Sequence, residues 1–184
     1  EADRRRWRPD GTYTIHSKAV VDAAGGFGAN NEMVAKYVPR LKGFATTNHP
    51  GATGDGLLLA EKIGAQLIQM DQIQTHPTVV PNVGEMITEA VRGNGAVLIN
   101  KEGKRFFNEL ETRDKVSAAI LKQKDGVAYL FFDSDMQKSL KATNNYIKQK
   151  YCLNGATLDE VAGKMGVPAD TLKATMDAWK AGKA

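Results

Sequence analysis

The sequence has 184 residues, of which 42% are hydrophobic and 25% charged, with a formal net charge of +4. This composition is ordinary for a globular protein, and no stretch of about 18 apolar residues that could span a membrane is present. The single cysteine excludes an internal disulfide, and three widely separated histidines without ligand spacing argue against a metal site.

The first part of the chain combines short apolar runs with glycine-rich turns. The apolar run Ala19-Val20-Val21 is typical of a strand, and an asparagine before a periodic segment is typical of a helix N-terminus. The predicted elements are strands at 13–17 and 18–23, a helix from Asn30 or Asn31 to about Tyr37, a helix over 57–63 ended by Gly64, and an extended segment at 65–71.

The rest of the chain is mostly helical. Residues 72–83 contain Pro77 and Pro81 and no periodicity, so they are predicted to be irregular. The predicted elements that follow are a strand at 96–100, a turn at 101–104 into a hairpin partner at 105–107, a helix over 113–123 capped by Thr112, a strand at 127–132, a helix from Ser134 with Gln137 in a capping box, a helix from Thr157 to Met165, and a helix from Pro168 to about Trp179.

This mixed order of strands, loops and helices contains no regular series of βαβ units. The first 65 or so residues are similar to a piece of a nucleotide-binding sheet, and the remainder to a separate α+β module. We therefore expect an α+β chain with two domains, 1–70 and 71–184.

Two glycine clusters are candidate ligand-binding segments. Gly26-Phe27-Gly28-Ala29-Asn30-Asn31 lacks the third glycine of a dinucleotide fingerprint, and the acidic residue expected about 20 positions later is missing. The small residues before it would let the backbone lie against a flat ligand, but they also suit a plain strand-to-helix turn. In the second cluster, 49–56, Asp55 either faces a ligand at a helix N-terminus or simply caps that helix.

A polar cluster with apolar flanks follows. Thr88, Glu89 and Arg92 lie in the run 86–96, Arg113 lies in Glu111-Thr112-Arg113-Asp114-Lys115, and His76 precedes a proline. Hydroxyl, imidazole and guanidinium donors all complement carboxylate oxygens, so this set could bind a dicarboxylate. The alternative is a structural ion pair, and three other acids are placed to pair with Arg113: Glu109, Glu111 and Asp114.

The strings Thr88-Glu89-Ala90-Val91-Arg92-Gly93-Asn94-Gly95 and Thr112-Arg113-Asp114-Lys115, with His76 upstream, resemble the flavin-dependent fumarate reductase family. This is the soluble flavocytochrome c type, with its urocanate and methacrylate reductase relatives. The resemblance runs from about Lys18 to the end. It implies that 71–184 is a clamp (capping) domain and that 1–70 is an edge of the FAD-binding α/β domain, with FAD contacts at Ala24, Gly25, Gly26, Thr53, Gly54 and Asp55.

The resemblance also implies a reaction. Reduced flavin would deliver hydride to one alkene carbon of fumarate or a related unsaturated acid, and Arg113 would protonate the other. Glu89 and Arg92 would form the proton relay, while His76 and Thr88, with Glu89 close by, would bind a substrate carboxylate. The implied partners are a small dicarboxylate such as fumarate or succinate and an electron-donor protein or domain. The implied compartment is the bacterial periplasm or the cytoplasm.

The sequence departs from that family at both ends. The Gly-x-Gly-x-x-Gly turn for the ADP half of the flavin and the second half of the flavin domain are not found, so we expect an internal fragment that binds FAD weakly and is inactive alone. An alternative is a non-catalytic, stand-alone binding domain. It predicts that His76, Thr88, Glu89 and Arg113 are not arranged as a site. A basic arm, Arg4-Arg5-Arg6 with Arg8, could contact nucleic acid, but the rest lacks a basic stripe and no nucleic-acid partner is expected.

Overall fold

A computed structural model describes residues 6–7, 11 and 13–182. Within these residues, short 3₁₀ helices cover Pro39–Leu41 and Lys124–Gly126. The strands are β1 (Arg6–Trp7), β2 (Tyr13–Thr14), β3 (Val97–Ile99) and β4 (Tyr129–Phe131). The helices are α1 (Asn31–Tyr37), α2 (Asp55–Lys62), α3 (Ala90–Gly93), α4 (Arg113–Leu121), α5 (Ser134–Ser139), α6 (Ala142–Lys148), α7 (Leu158–Met165) and α8 (Ala169–Lys180).

The chain divides into two compact units, residues 1–71 and 72–184. The strands β1 and β2 pair antiparallel in the first unit, and β3 and β4 pair antiparallel in the second. Helices combined with small antiparallel sheets agree with the predicted α+β class. The assignment of the units to a partial FAD-binding domain and a clamp domain stays a prediction.

The strand predictions in the first unit are wrong for most of their length. β2 covers only Tyr13–Thr14, and residues 18–23 form no strand. The side chains of Val20 and Val21 are 88% and 87% exposed. A strand is stabilised by pairing and by burial against neighbours, and no strand within the described part of the chain provides either for this apolar run.

Both helix predictions in the first unit are confirmed. Asn30 caps α1, since its side chain accepts a hydrogen bond from the Met33 amide at 3.0 Å. Helix α2 begins at Asp55, two residues earlier than predicted, and its N-cap is Gly54 with a left-handed φ of 83°. Asp55 therefore lies in the first turn of α2, and the alternative that its side chain caps the helix is wrong.

The second unit is built around the buried strand β3. Successive side chains of a strand point to opposite faces, so Val97 and Ile99 contact one layer and Leu98 another. The first layer is a cluster with α7 and α8, in which Leu172 is fully buried. The second layer is formed by Val116 and Ile120 of α4 and by the phenylalanines that follow β3.

The predicted hairpin between 96–100 and 105–107 is wrong in its main feature. β3 pairs with β4 instead, with Leu98 opposite Leu130, and only an isolated bridge joins Ile99 to Arg105. The amide of Leu98 donates to Oε1 of Glu109 at 2.8 Å. A buried carboxylate therefore takes the backbone donor that a longer partner strand would have used.

The helix caps predicted for the second unit are confirmed in some helices and wrong in others. The Thr157 cap of α7 is confirmed, because its hydroxyl accepts from the Glu160 amide at 3.2 Å. The predicted box of Ser134 and Gln137 is wrong, since Asp133 caps α5 instead. Thr112 holds the N-cap position of α4 without a capping bond from its side chain. The last predicted helix is confirmed, although α8 begins at Ala169, one residue after the predicted start, and Pro168 is its N-cap residue.

Candidate functional site

Two irregular segments bring the predicted substrate-binding residues His76 and Thr88 together. The amide of Ile87 donates to the carbonyl of Thr78 at 2.9 Å, and the Thr78 hydroxyl donates to the carbonyl of Ile87 at 2.8 Å. His76 lies two residues before Thr78, and Thr88 lies one residue after Ile87. This pairing therefore places the His76 and Thr88 segments side by side.

Glu89 lies between two arginines. Arg113 donates through Nε and Nη2 to the two carboxylate oxygens of Glu89, and Nη2 of Arg92 is 3.5 Å from Oε1 of the same group. The side chains of Glu89 and Arg113 are 43% and 38% exposed, whereas that of Arg92 is 5% exposed. A chain of charged groups therefore leads from the buried Arg92 to the accessible Arg113.

The other candidate partners of Arg113 are engaged elsewhere. Glu109 accepts from Arg105, with 2.8 Å between Oε2 and Nη2, and Glu111 pairs with Lys115 at 2.9 Å. The alternative pairings of Arg113 with Glu109 or Glu111 are therefore wrong. The side chain of Asp114 interacts with Thr112, the residue before Arg113.

The ion pairs shift the pKa values in opposite directions. Hydrogen bonds from Arg113 lower the pKa of Glu89 to about 2, against the effect of its partial desolvation. The same bonds raise the pKa of Arg113. Burial lowers the pKa of Arg92, and only the charges of Glu89 and Glu109 oppose this shift. The carboxylate is therefore ionised at neutral pH, and of the two arginines Arg92 holds its proton less tightly.

His76 belongs to the same electrostatic cluster. Its Nδ1 accepts a hydrogen bond from the Thr78 amide at 3.4 Å. Burial, followed by the charge of Arg113, lowers its pKa. A neutral imidazole that accepts at Nδ1 carries its proton on Nε2. His76 is therefore a neutral Nε2–H donor, which suits it to bind a carboxylate without a charge of its own.

The two predicted flavin-contact segments meet within the first unit. The amide of Gly54 donates to the carbonyl of Gly26 at 3.1 Å, and Nδ2 of Asn30 donates to the carbonyl of Thr53 at 2.9 Å. No atom lies within 4 Å of the position that a Cβ would take on Gly25 or Gly26. Ala24–Gly26 and 53–55 thus form one backbone platform with open space beside Gly25 and Gly26.

Two polar residues near these sites escaped the sequence analysis. Gln74 accepts from Nη1 of Arg113 at 2.6 Å, and it is 39 residues away in an irregular segment that offers no sequence signal. Asp22 accepts from the Ala24 amide at 2.9 Å and lies against the backbone of Gly56. Its position directly after the apolar run 19–21 is the signal that could have identified it.

The remaining expectations concern other kinds of site. Within residues 13–182, no group of three or more His, Cys, Asp or Glu side chains could hold a metal ion. None of the helices described above has the length and apolar character needed to cross a membrane. Arg4, Arg5 and Arg8 lie outside the described residues.

Comparison with known proteins identifies the class. Residues 4–182 match the family described as an FAD binding domain, so the chain belongs to that family. Over 165 residues it is 46% identical to the NADH:fumarate oxidoreductase of Klebsiella pneumoniae, a match that spans 90% of this chain and 18% of that protein. Over 166 residues it is 49% identical to the fumarate reductase (cytochrome) of Shewanella frigidimarina, spanning 90% of this chain and 29% of that protein.

A solved structure extends the similarity to the fold. The open conformation of a flavocytochrome c3 fumarate reductase matches with a TM-score of 0.71 and 41% identity, covering 94% of this chain and 30% of that one. The predicted resemblance to flavin-dependent fumarate reductases is therefore confirmed. The chain spans less than a third of the length of each of these three proteins.

Proposed function

We propose that this chain is part of a longer FAD-dependent reductase that acts on the C=C bond of fumarate or a related unsaturated acid, with an electron-donor protein or domain as partner. The observation that carries the proposal is the contact of Glu89 with both Arg113 and Arg92. The relatives named NADH:fumarate oxidoreductase, at 46% identity, and fumarate reductase (cytochrome), at 49% identity, support the same reaction class. The chemistry that FAD supplies when it is bound is hydride transfer to one alkene carbon.

Substrate binding falls to two neutral donors, His76 and Thr88. The Thr88 oxygen accepts a bond from the Ala90 amide at 3.4 Å, so its own hydrogen is available to a ligand. His76 offers its Nε2–H, because Nδ1 is occupied by the Thr78 amide. Together they would donate to one carboxylate of the substrate, in a segment pair held by backbone bonds.

Proton transfer falls to Arg113. A guanidinium has a pKa above about 12, and Glu89 raises that of Arg113 further, so only a strongly basic centre takes its proton. The carbanion-like second alkene carbon is such a centre: a C–H bond forms there as an N–H bond of Arg113 breaks.

The low pKa of Glu89 exists because Arg113 is charged. Once Arg113 becomes neutral, that effect is lost and the carboxylate becomes a better proton acceptor. Arg92, whose pKa is lowered by burial, then passes a proton to Glu89, Glu89 passes one to Arg113, and the neutral Arg92 regains its proton from solvent water before the next turnover. The buried arginine therefore acts as the inner end of the relay.

The backbone platform of the first unit fits one face of a flavin. Ala24–Gly26 and 53–55 would lie against the ring, since the missing side chains of Gly25 and Gly26 leave space for a flat group. The relatives are more than three times as long as this chain. We therefore expect the isolated chain to retain FAD weakly and to be inactive by itself.

The alternative function, a stand-alone binding domain, predicted no geometry within the polar cluster. The ion pair of Arg113 with Glu89 would also suit a structural role, but the pairing of the His76 and Thr88 segments next to Glu89 weighs against this alternative. No contact within the described residues favours this alternative over the reductase.

The test compares the full-length protein with the isolated chain. Each is purified, mixed with FAD, freed of excess, scanned in the visible range and assayed for fumarate-dependent oxidation of a reduced viologen dye. We expect flavin absorbance and turnover only in the full-length protein. Full-length protein that holds FAD but reduces neither fumarate nor other unsaturated acids would refute the proposal. Turnover by the isolated chain would refute only its expected inactivity.

A further inference from the structure

We infer that Tyr146, on α6, is a positioning residue that holds Thr88 where it can bind the substrate carboxylate. The inference rests on the proposed function. The amide of Thr88 donates to the hydroxyl oxygen of Tyr146 at 3.1 Å, across 58 residues of sequence. This hydrogen bond connects α6 to the segment that contains the proposed substrate-binding residue Thr88.

The hydroxyl of Tyr146 has a well-defined position because its ring is part of the core. Tyr146 is 9% exposed and packs in a cluster with Val91, Ala96 and Met136. A tyrosine side chain has only two rotatable bonds, and a packed ring restricts both. The core of the second unit therefore determines where the acceptor for the Thr88 amide lies.

Thr88 is held from three directions, each by a different group. The Thr78 hydroxyl fixes the carbonyl of the preceding residue, Ile87. The Ala90 amide donates to the Thr88 hydroxyl oxygen, and Tyr146 accepts from the Thr88 amide. Replacing Tyr146 with phenylalanine removes its contact with Thr88 without changing any residue that is proposed to touch the substrate.

Glu89, the next residue, is held independently by Arg113. Loss of the Tyr146 hydroxyl should therefore disturb the carboxylate donor of Thr88 and leave the proton donor in place. In kinetic terms, an interaction that serves binding in both ground state and transition state affects KM rather than kcat. Tyr146 should therefore affect substrate affinity and not the rate of the chemical step.

The experiment uses the full-length flavin-loaded protein with the substitution Tyr146→Phe. Its matched control is Tyr129→Phe, because the Tyr129 hydroxyl likewise bonds to a backbone group of the same unit, here as the donor to the carbonyl of Met165 at 2.6 Å. For Tyr146→Phe we expect KM for fumarate to rise about tenfold with kcat within about twofold of wild type. Neither constant should change in the control.

A double-mutant cycle with Thr88→Ala separates positioning from general damage. If Tyr146 acts through Thr88, adding Tyr146→Phe to Thr88→Ala should raise KM little further. Additive effects, an unchanged KM, or equal losses of kcat in both tyrosine variants would overturn the inference while the reductase function stands. A wild-type protein without reductase activity would instead refute the proposed function, and the inference with it.

Discussion

The two units of this chain differ in what stabilises them. The second unit has three apolar clusters, two of which include residues of β3, and Leu98, Ile99 and Leu172 are at most 1% exposed. The first unit buries a few apolar side chains, such as Met33 and Leu41, and relies on turns and backbone bonds between its glycine segments. The polar cluster therefore lies on the better-packed unit, and the proposed flavin platform lies on the other.

The difference is clearest at the surface. Val20, Val21 and Ile63 in the first unit are each at least 87% exposed. Valine and isoleucine are among the residue types most often found fully buried. In the proposed full-length reductase, further parts of the flavin domain would cover them. We expect substitutions in the polar cluster of the second unit to change turnover, and substitutions in the platform of the first unit to change FAD retention.

The largest expected effect is on chemistry alone. Arg113→Ala in the full-length protein should lower kcat by about 10³-fold, the scale of a lost general acid, while visible absorbance shows FAD retained. The control is Lys115→Ala, which removes the ion pair with Glu111 from the same helix. Retained turnover in Arg113→Ala, with the control unaffected, would refute the assignment of the proton donor.

The next effect tests the packing of the second unit. Leu172→Ala should lower the free energy of unfolding by about 2–5 kcal/mol, because Leu172 is 0% exposed and the cavity cannot be filled by solvent. Urea unfolding of the isolated chain, followed by circular dichroism, measures this. Leu59→Ala in the first unit is the matched control, since Leu59 is 62% exposed. Similar losses in both variants would contradict the placement of Leu172 in the packed core of the second unit.

Cofactor retention should depend on the first unit. A Cβ on Gly54 would lie 2.8 Å from Sδ of Met33 and from Cβ of Phe27, at a φ of +83°. Gly54→Ala should therefore displace the platform and lower FAD content in the full-length protein, without unfolding the second unit. Gly64→Ala is the control, because Gly64 has a similar φ of +92° but no atom within 4 Å. Equal FAD loss in both would attribute the effect to backbone strain alone.

The smallest effect concerns pH. The pKa of Glu89 is lowered from 4.5 to about 2 by the bonds from Arg113, so the ionised form is favoured in the folded state. The stabilisation is present above pH 4.5 and is lost as the pH falls towards about 2. Urea unfolding of wild type and Glu89→Gln at several pH values measures it. Their difference should shrink over this range; a difference independent of pH would refute the stabilising role of the pair.

The helices were predicted better than the strands for a physical reason. The cap of α1 at Asn30 and that of α7 at Thr157 use bonds between residues three apart, so their pattern is visible in the sequence. Strand formation depends on a partner. This is why 18–23 was predicted wrongly, and why β3 pairs along its length with β4 while only Arg105 of 105–107 bridges to it. A Val-rich run carries no information about what lies beside it.

The sequence by itself determined the residue types of the polar cluster, the motif strings that resemble fumarate reductases and most helix boundaries, because these depend on neighbours a few positions apart. Only the tertiary structure decided that Arg113 pairs with Glu89 and not with Glu109 or Glu111. It also decided that Tyr146, 58 residues away, accepts from Thr88. Such contacts form because the folded core brings together segments that are far apart in the sequence. The number of residues between two side chains does not show whether they will touch.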